Sequence, residues 1–208
     1  MARRIKEEPA VHQNRIAMKA IRLFSEKGID NTSMDDIAKA AGYSKATLYV
    51  YFKNKDEIVE YIALKSMSEL RDALINALEN QRNAKEAFHS MCSALVKFQT
   101  EYPAFFDRVL QYISVDTNEE NGSMLNQTYK IGEQINEAIA GYLESGEKKG
   151  QLKPFDNKLE IIFHVWGMIS GIIKFANEKA EYIEKTGGIS KETFLNNGFD
   201  RIYQIISI

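Results

Sequence analysis

Apolar residues recur at helical spacing along most of the chain, and few segments alternate in the manner of a strand. The first stripe includes Ile16, Ala20 and Phe24 and stops at Gly28, a residue type common just after a helix C-terminus. A helix over residues 11–27 is therefore predicted as the first element of an all-α fold.

Two short helical segments follow, at positions where the sequence offers capping residues. Ser33 precedes the first segment and Asp36 occupies its third helical position, a spacing typical of a capping box. Gly42 interrupts the pattern, and Ser44 then provides an N-cap for a second segment of about two turns. Two short helices joined by a glycine-containing turn predict a helix-turn-helix, whose second helix has the size to enter the DNA major groove.

The charge around this motif is predominantly positive. From Ile37 to Lys55 there are four lysines and no acidic residue, a bias that suits a surface facing DNA phosphate. Asp35 and Asp36 lie at the start of the first short helix, where a negative charge favours the helix dipole. Because phosphate would repel these two carboxylates, we do not expect either of them to read the groove.

Beyond residue 54 the apolar pattern predicts a larger helical region. A long helix from Lys55 to Leu78 comes first, and a polar loop is expected at residues 116–122. Further helices are predicted at residues 84–100, from Pro103 onwards, at 123–148, from a cap at Asp156 to about Glu184, and from a cap at Ser190 towards the C-terminus.

The segment from Phe163 to Ile173 is apolar on all faces and contains the small residues Gly167, Ser170 and Gly171. A helix of this kind must be buried all round, and small residues allow another helix to approach closely. The segment is thus either part of a dimer interface formed by the last two helices or the central core helix of a monomer.

The stretch from Gly42 to Ile58 resembles the recognition-helix signature of the tetracycline-repressor (TetR) family. The blocks Ala20–Ile29 and Thr32–Ala38 fall at the spacing of that family, and the resemblance covers residues 11–60. It implies a DNA-binding domain at residues 1–54 and a helical effector-binding and dimerisation domain at residues 55–208. It also implies a homodimer with a four-helix interface that binds an inverted-repeat operator in double-stranded DNA, most often as a repressor.

In the second short helix, Leu48 and Phe52 are expected to point inward, which leaves the other side chains for DNA or, alternatively, for packing of the small domain. Lys45 suits a guanine or a phosphate, and Val50 suits a thymine methyl group. The family resemblance assigns phosphate contacts to Tyr49 and Lys55. The predicted DNA contacts are Thr32, Ser33, Ser44, Lys45, Ala46, Thr47, Tyr49, Val50, Tyr51 and Lys55.

The chain concentrates aromatic and methionine side chains between Phe88 and Met168. Most of them are expected in the core, but pockets between helices are also largely apolar with a few polar groups. In the resembled family such a pocket receives a small molecule that releases the operator. The candidate effector-binding residues are Met91, Phe105, Tyr112, Tyr129, His164 and Trp166.

Composition restricts the remaining possibilities. The chain has 208 residues, a net charge of −2 and one cysteine, Cys92, which excludes an internal disulfide and suits a reducing cytoplasm. No apolar stretch follows Met1, so we expect a cytoplasmic protein. His89 and Cys92 have the spacing of two metal ligands, but zinc needs three or four, so neither a metal nor a cofactor is expected.

Two functional hypotheses remain at this point. The first is a ligand-responsive, sequence-specific transcriptional regulator, most often a repressor, released by a small hydrophobic effector. The second is a helical ligand carrier or enzyme with a vestigial helix-turn-helix. The sequence contains no paired carboxylates at catalytic spacing and no glycine-rich phosphate loop, so no catalytic residue is predicted.

Overall fold

The computed structural model describes residues 7–79, 81–111 and 122–208. Over these ranges the protein is helical, without a β-strand, which confirms the predicted all-α class. The predicted loop at 116–122 lies outside the described residues except for Gly122. The helices are α1 (Pro9–Lys27), α2 (Met34–Ala41), α3 (Lys45–Tyr51), α4 (Lys55–Glu79), α5 (Ala84–Glu101), α6 (Pro103–Gln111), α7 (Met124–Lys148), α8 (Lys158–Glu178), α9 (Ala180–Gly187) and α10 (Lys191–Ile206).

The chain forms two compact units. The described part of the first consists of residues 7–66, 102–111 and 122–128, and the second contains residues 67–79, 81–101 and 129–208. This division follows packing, whereas the boundary between residues 54 and 55 concerns function and stays a prediction.

The first unit is built on α1, which packs against α2, α3 and α6. The ring of Phe24 on α1 lies 6.3 Å from that of Phe105 on α6. Buried side chains of α1, α2, α3 and the residue after α3 form its core, which includes Ile16, Ala17, Ala20, Phe24, Ile37, Leu48 and Phe52.

Local capping interactions define the helix-turn-helix. The Ser33 hydroxyl accepts from the Asp36 amide while the Asp36 carboxylate accepts from the Ser33 amide, so the predicted capping box is confirmed. Gly42 ends α2 with φ of 76°, a left-handed conformation that favours glycine. Ser44 caps α3 by accepting from the Thr47 amide, also as predicted.

In the second unit, α8 packs against α5, α9 and α10. Its core includes Phe88, Leu95, Ile169 and Phe199. Helices α8 and α10 approach closely at Gly198, where a Cβ atom would lie only 2.9 Å from the Cδ1 atom of Ile172. Gly198 is therefore part of the packing of these two helices.

Three predicted helix limits were wrong. Helix α1 begins at Pro9, which is suited to the first turn because the missing amide has no partner there in any case. Helix α8 is capped by Asn157 and not by Asp156, since the Asn157 side chain accepts from the Glu160 amide. Helix α8 also stops before Lys179, whose φ of −118° and ψ of 17° break the helix and separate α9.

Helix α8 is not buried on all faces within a single chain. Leu159, Phe163, Gly171 and Phe175 are exposed, which contradicts the alternative of a central core helix in a monomer and leaves the dimer interface as a prediction. By length and composition α8 is also the one helix among the described residues that is apolar enough to cross a membrane, with 33% of its apolar window buried.

Candidate nucleic-acid interface and effector cavity

Helix α3 exposes one face of its seven residues. Leu48 is fully buried and anchors the helix, whereas Val50 is 77% exposed and Tyr49 is 45% exposed. Lys45 and Ala46 are also exposed. The outward face therefore combines one cation, a phenol and apolar groups, a set that is able to contact both phosphate and base edges.

Tyr51 at the end of α3 contacts another part of the same unit. Its ring stacks on that of His12 in α1 at 4.9 Å, and the residue is half-buried. The hydroxyl of Tyr43 lies 2.7 Å from His12 Nδ1 and accepts from Arg15 at 2.9 Å. This hydrogen bond, together with Glu7, raises the pKa of Arg15. Tyr51 therefore helps to fix α3 to α1.

Thr32 and Ser33 differ in their accessibility. Thr32 is buried, and its hydroxyl donates to the Gly28 carbonyl at 2.8 Å, so a structural role in the α1–α2 turn is favoured. Ser33 is exposed, but its hydroxyl bonds to the Asp36 carboxylate at 2.7 Å. In the same way the hydroxyl groups of Ser44 and Thr47 lie 2.8 Å apart and bond to each other.

Asp35 and Lys45 form an ion pair that the sequence analysis did not anticipate. Asp35 Oδ1 on α2 lies 2.9 Å from Lys45 Nζ on α3, and the carboxylate raises the pKa of Lys45. Asp36 points elsewhere, and hydrogen bonds from Ser33 lower its pKa. The positive charge predicted at the start of α3 is thus accompanied by a negative one, and only the packing of α2 against α3 reveals it.

Lys55 at the start of α4 is also engaged. Its Nζ atom donates to the carbonyl oxygen of Ile29 at 2.7 Å and to that of Asp30 at 3.3 Å. Lys55 therefore links α4 to the α1–α2 turn. Its ammonium group has three donors, so one of them remains for another acceptor.

The second unit contains a small apolar cavity between α5, α7, α8 and α10. Its volume is about 20 Å³, close to the size of one water molecule, so a larger ligand would require the helices to separate. Two of the candidate effector residues, Met91 and Trp166, line it, and their role in binding an effector stays a prediction. Tyr142 also lines it, although the prediction did not include this residue; its hydroxyl donates to the Ala84 carbonyl at 2.8 Å and its burial raises the pKa of the phenol.

The other predicted effector residues do not line this cavity. Phe105 is buried against Phe24 in the first unit, whereas Tyr129 and His164 are exposed on the second. Tyr112 lies outside the described residues. Helical spacing identifies apolar residues, but it does not decide which of them meet in one cavity.

His89 and Cys92 have separate environments. His89 Nε2 lies 3.2 Å from the Asp200 carboxylate, which also accepts from Lys85 at 2.8 Å. Cys92 is buried, and its burial raises the pKa of the thiol. Among the described residues, no three His, Cys, Asp or Glu side chains are grouped so that they could hold a metal ion.

An N-terminal helix-turn-helix with an exposed second helix, followed in the chain by a larger helical region, defines the class of helix-turn-helix regulators. The family model for bacterial regulatory proteins of the tetR family matches residues 16–62. The chain is 30% identical over 142 residues to YhgD of Bacillus subtilis, an uncharacterised HTH-type transcriptional regulator, covering 67% of this chain and 71% of that protein.

Two further relatives extend over nearly the whole chain. The biofilm operon icaADBC negative regulator IcaR of Staphylococcus aureus is 27% identical over 199 residues, which are 94% of this chain and 97% of IcaR. The crystal structure of the TetR-family regulator PfmR from Thermus thermophilus has a TM-score of 0.69 and 27% identity, and the match covers 91% of this chain and 97% of PfmR. The chain belongs to the tetR family of bacterial regulatory proteins.

Proposed function

We propose that the protein is a homodimeric, sequence-specific DNA-binding repressor that a small apolar effector releases from its operator. The observation that supports this most directly is the outward face of α3, where Val50 is 77% exposed beside Tyr49 and Lys45. An apolar side chain this exposed gains nothing from the fold. In the major groove, however, it can contact a thymine methyl group.

Phosphate contacts would surround this face. Tyr49 presents its hydroxyl from α3, and Lys53 and Lys55 follow the helix-turn-helix. Ser44 would offer its backbone close to the α3 N-terminus, since its hydroxyl is already bonded to Thr47. These groups position the protein on the duplex, and the base contacts supply the sequence preference.

A homodimer would cover the exposed face of α8. Phe163 and Phe175 lie on this face with Gly171, where a Cβ atom would meet nothing within 4 Å. A second copy packed on this face would bury both aromatic rings, while the glycine would let the helices approach. A two-fold dimer requires an operator made of two inverted half-sites.

The effector would occupy the cavity lined by Met91, Tyr142 and Trp166. Because the cavity measures about 20 Å³, a bound molecule must favour a state with the helices further apart. Helix α4 is continuous from the first unit into the second, so it provides a covalent route for this change. A coupling of about 1–3 kcal/mol would weaken operator binding roughly 5- to 150-fold.

Negative regulation is favoured because the relative IcaR is a negative regulator. A cytoplasmic location follows from access to DNA, and an enzymatic role is not part of the proposal. The alternative of a helical ligand carrier with a vestigial helix-turn-helix is favoured only if α3 does not bind DNA.

The test is to select duplexes with 20 randomised base pairs on the purified protein at about 0.15 M salt and to sequence the bound fraction. We expect an enriched inverted repeat, bound with an affinity that falls steeply as salt increases. If no sequence is enriched at any salt concentration while the protein remains folded, the DNA-binding proposal is rejected.

A further inference from the structure

The ion pair between Asp35 and Lys45 joins the first turns of α2 and α3. Lys45 is the first residue of α3, and the N-terminal residues of a recognition helix contact base edges. The side chains of Lys45 and Asp35 are 59% and 51% exposed, so both remain accessible. Their charged atoms lie 2.9 Å apart.

The carboxylate of Asp35 has no role in capping α2. The Ser33–Asp36 capping box satisfies the start of that helix, and Asp36 also lies 3.8 Å from Lys27. Asp35 is instead directed towards α3. A carboxylate there would be repelled by phosphate, and as part of a neutral pair it adds little to sequence-independent affinity. Its contribution is therefore expected in the choice of sequence, and the pairing with Lys45 revises the expectation, drawn from phosphate repulsion alone, that Asp35 does not read the groove.

We infer that Asp35 and Lys45 together read one G·C base pair in each operator half-site; this inference rests on the proposed function. The major-groove edge of G·C carries the acceptors N7 and O6 on guanine and the N4 donor on cytosine. O6 and N4 are hydrogen-bonded to each other and so lie about 2.9 Å apart. The Lys45 ammonium donates to O6 and N7 while the Asp35 carboxylate accepts from N4, so the spacing of the protein groups matches that of the base groups.

An A·T pair fits the same two side chains less well. Its edge alternates as the N7 acceptor, the N6 donor and the O4 acceptor, followed by the thymine methyl group. With Asp35 opposite N6, the carboxylate lies beside the N7 acceptor, which repels it. Lys45 then faces O4 next to the methyl group. The pair thus discriminates against A·T through repulsion as well as through lost hydrogen bonds.

The experiment compares the sequence preferences of the full-length protein and its Asp35→Ala, Lys45→Met and Asp72→Asn variants by the same randomised-duplex selection. Asp72→Asn is the matched control, because it removes the same charge from an exposed ion pair with Arg71 in the second unit. The operator enriched by the wild-type protein is then remade with each G·C pair replaced by A·T, and the affinities are measured at one salt concentration.

For the wild-type protein, one replacement per half-site should weaken binding by roughly 5- to 150-fold. Asp35→Ala and Lys45→Met should each lose most of this preference at that same position, whereas Asp72→Asn should keep it. Circular dichroism melts establish that each variant is folded. Asp35→Ala and Lys45→Met change different members of the ion pair, so each tests the inference independently of the other.

Several outcomes would overturn the inference. If Asp35→Ala binds every duplex more tightly but keeps the wild-type preferences, Asp35 acts only as a repulsive charge. If the two variants lose preference at different positions, they do not read one base pair. If the wild-type protein enriches an operator but neither Asp35→Ala nor Lys45→Met changes its preference, the inference is rejected and the proposed function is kept. If no sequence is enriched at all, the inference and the proposed function are both rejected.

Discussion

The Nζ atom of Lys55 donates a hydrogen bond of 2.7 Å to the carbonyl oxygen of Ile29, 26 residues earlier in the chain. This bond connects the first residue of α4 to the turn between α1 and α2. A lysine predicted to contact phosphate therefore also holds the helix-turn-helix to the helix that follows it. A change at Lys55 should accordingly affect both stability and DNA binding.

Lys55→Ala is expected to lower the free energy of unfolding by about 1 kcal/mol, because the Ile29 and Asp30 carbonyls lose a charged donor. It should also weaken DNA binding and reduce the salt slope by about 1. Denaturant unfolding and salt-dependent titrations measure the two effects. The control is Lys53→Ala, which removes an exposed lysine and should leave the unfolding midpoint unchanged. An unchanged midpoint for Lys55→Ala would contradict the structural role.

Tyr49→Ala should weaken binding to operator and random DNA by a similar factor, because its hydroxyl is proposed to contact phosphate. Since Tyr49 is 45% exposed, its removal should change stability by about 0.5 kcal/mol or less. Fluorescence anisotropy with both duplexes measures the affinities. Tyr182→Ala, at an exposed position in the second unit, should bind like the wild-type protein. Wild-type affinity in the Tyr49 variant would show that α3 does not use this side chain.

Gly171→Glu should convert a dimer into a folded monomer. The added side chain has open space within one chain but would place a charge in the proposed interface. Ile202 is less suitable for this test, because it is buried within the chain and a charge there would unfold the protein. Gly141→Glu on α7 is the matched control, since Gly141 also has open space around it. Sedimentation velocity should show a monomer for Gly171→Glu and a dimer for Gly141→Glu. A monomeric wild-type protein would reject the dimer.

Asp200 should make stability depend on acid. The hydrogen bond from Lys85 lowers the pKa of Asp200 below its ordinary value of 3.8, so its contribution is present above that value. The contribution is lost as the pH falls through the pKa of the folded state. Asp200→Asn should therefore cost up to about 1 kcal/mol at pH 7 and less at pH 2. Asp156→Asn, at an exposed position, is the control in urea unfolding at both pH values. If the free energies of unfolding of Asp200→Asn and the wild-type protein differ by the same amount at both pH values, this expectation is contradicted.

Met91→Ala should enlarge the cavity and destabilise the protein by about 2–5 kcal/mol. Benzene should restore part of this stability by filling the space, and it should change the fluorescence of Trp166, the only tryptophan. Met18→Ala, at an exposed position on α1, is the control that should show neither effect. If benzene binds the enlarged cavity without changing operator affinity, occupation of this site alone does not release DNA.

The sequence predicted the elements that depend on neighbouring residues. The caps at Ser33, Ser44 and Ser190 were found because each side chain bonds to an amide three residues later. The burial of Leu48 followed from helical spacing in the same way. Local geometry is sufficient for these features, and the family resemblance supplied the class of protein.

Other features depend on how the helices pack against each other. The Asp35–Lys45 pair depends on the crossing of α2 and α3, and the Lys55–Ile29 bond on a contact between residues far apart in the chain. Packing likewise decides that Phe105 contacts Phe24 in the first unit, whereas Trp166 lines the cavity of the second unit, although both residues have apolar character. Spacing along one helix specifies which face is apolar, but only the tertiary arrangement decides which residue of another helix that face contacts, because many pairings bury the same apolar area.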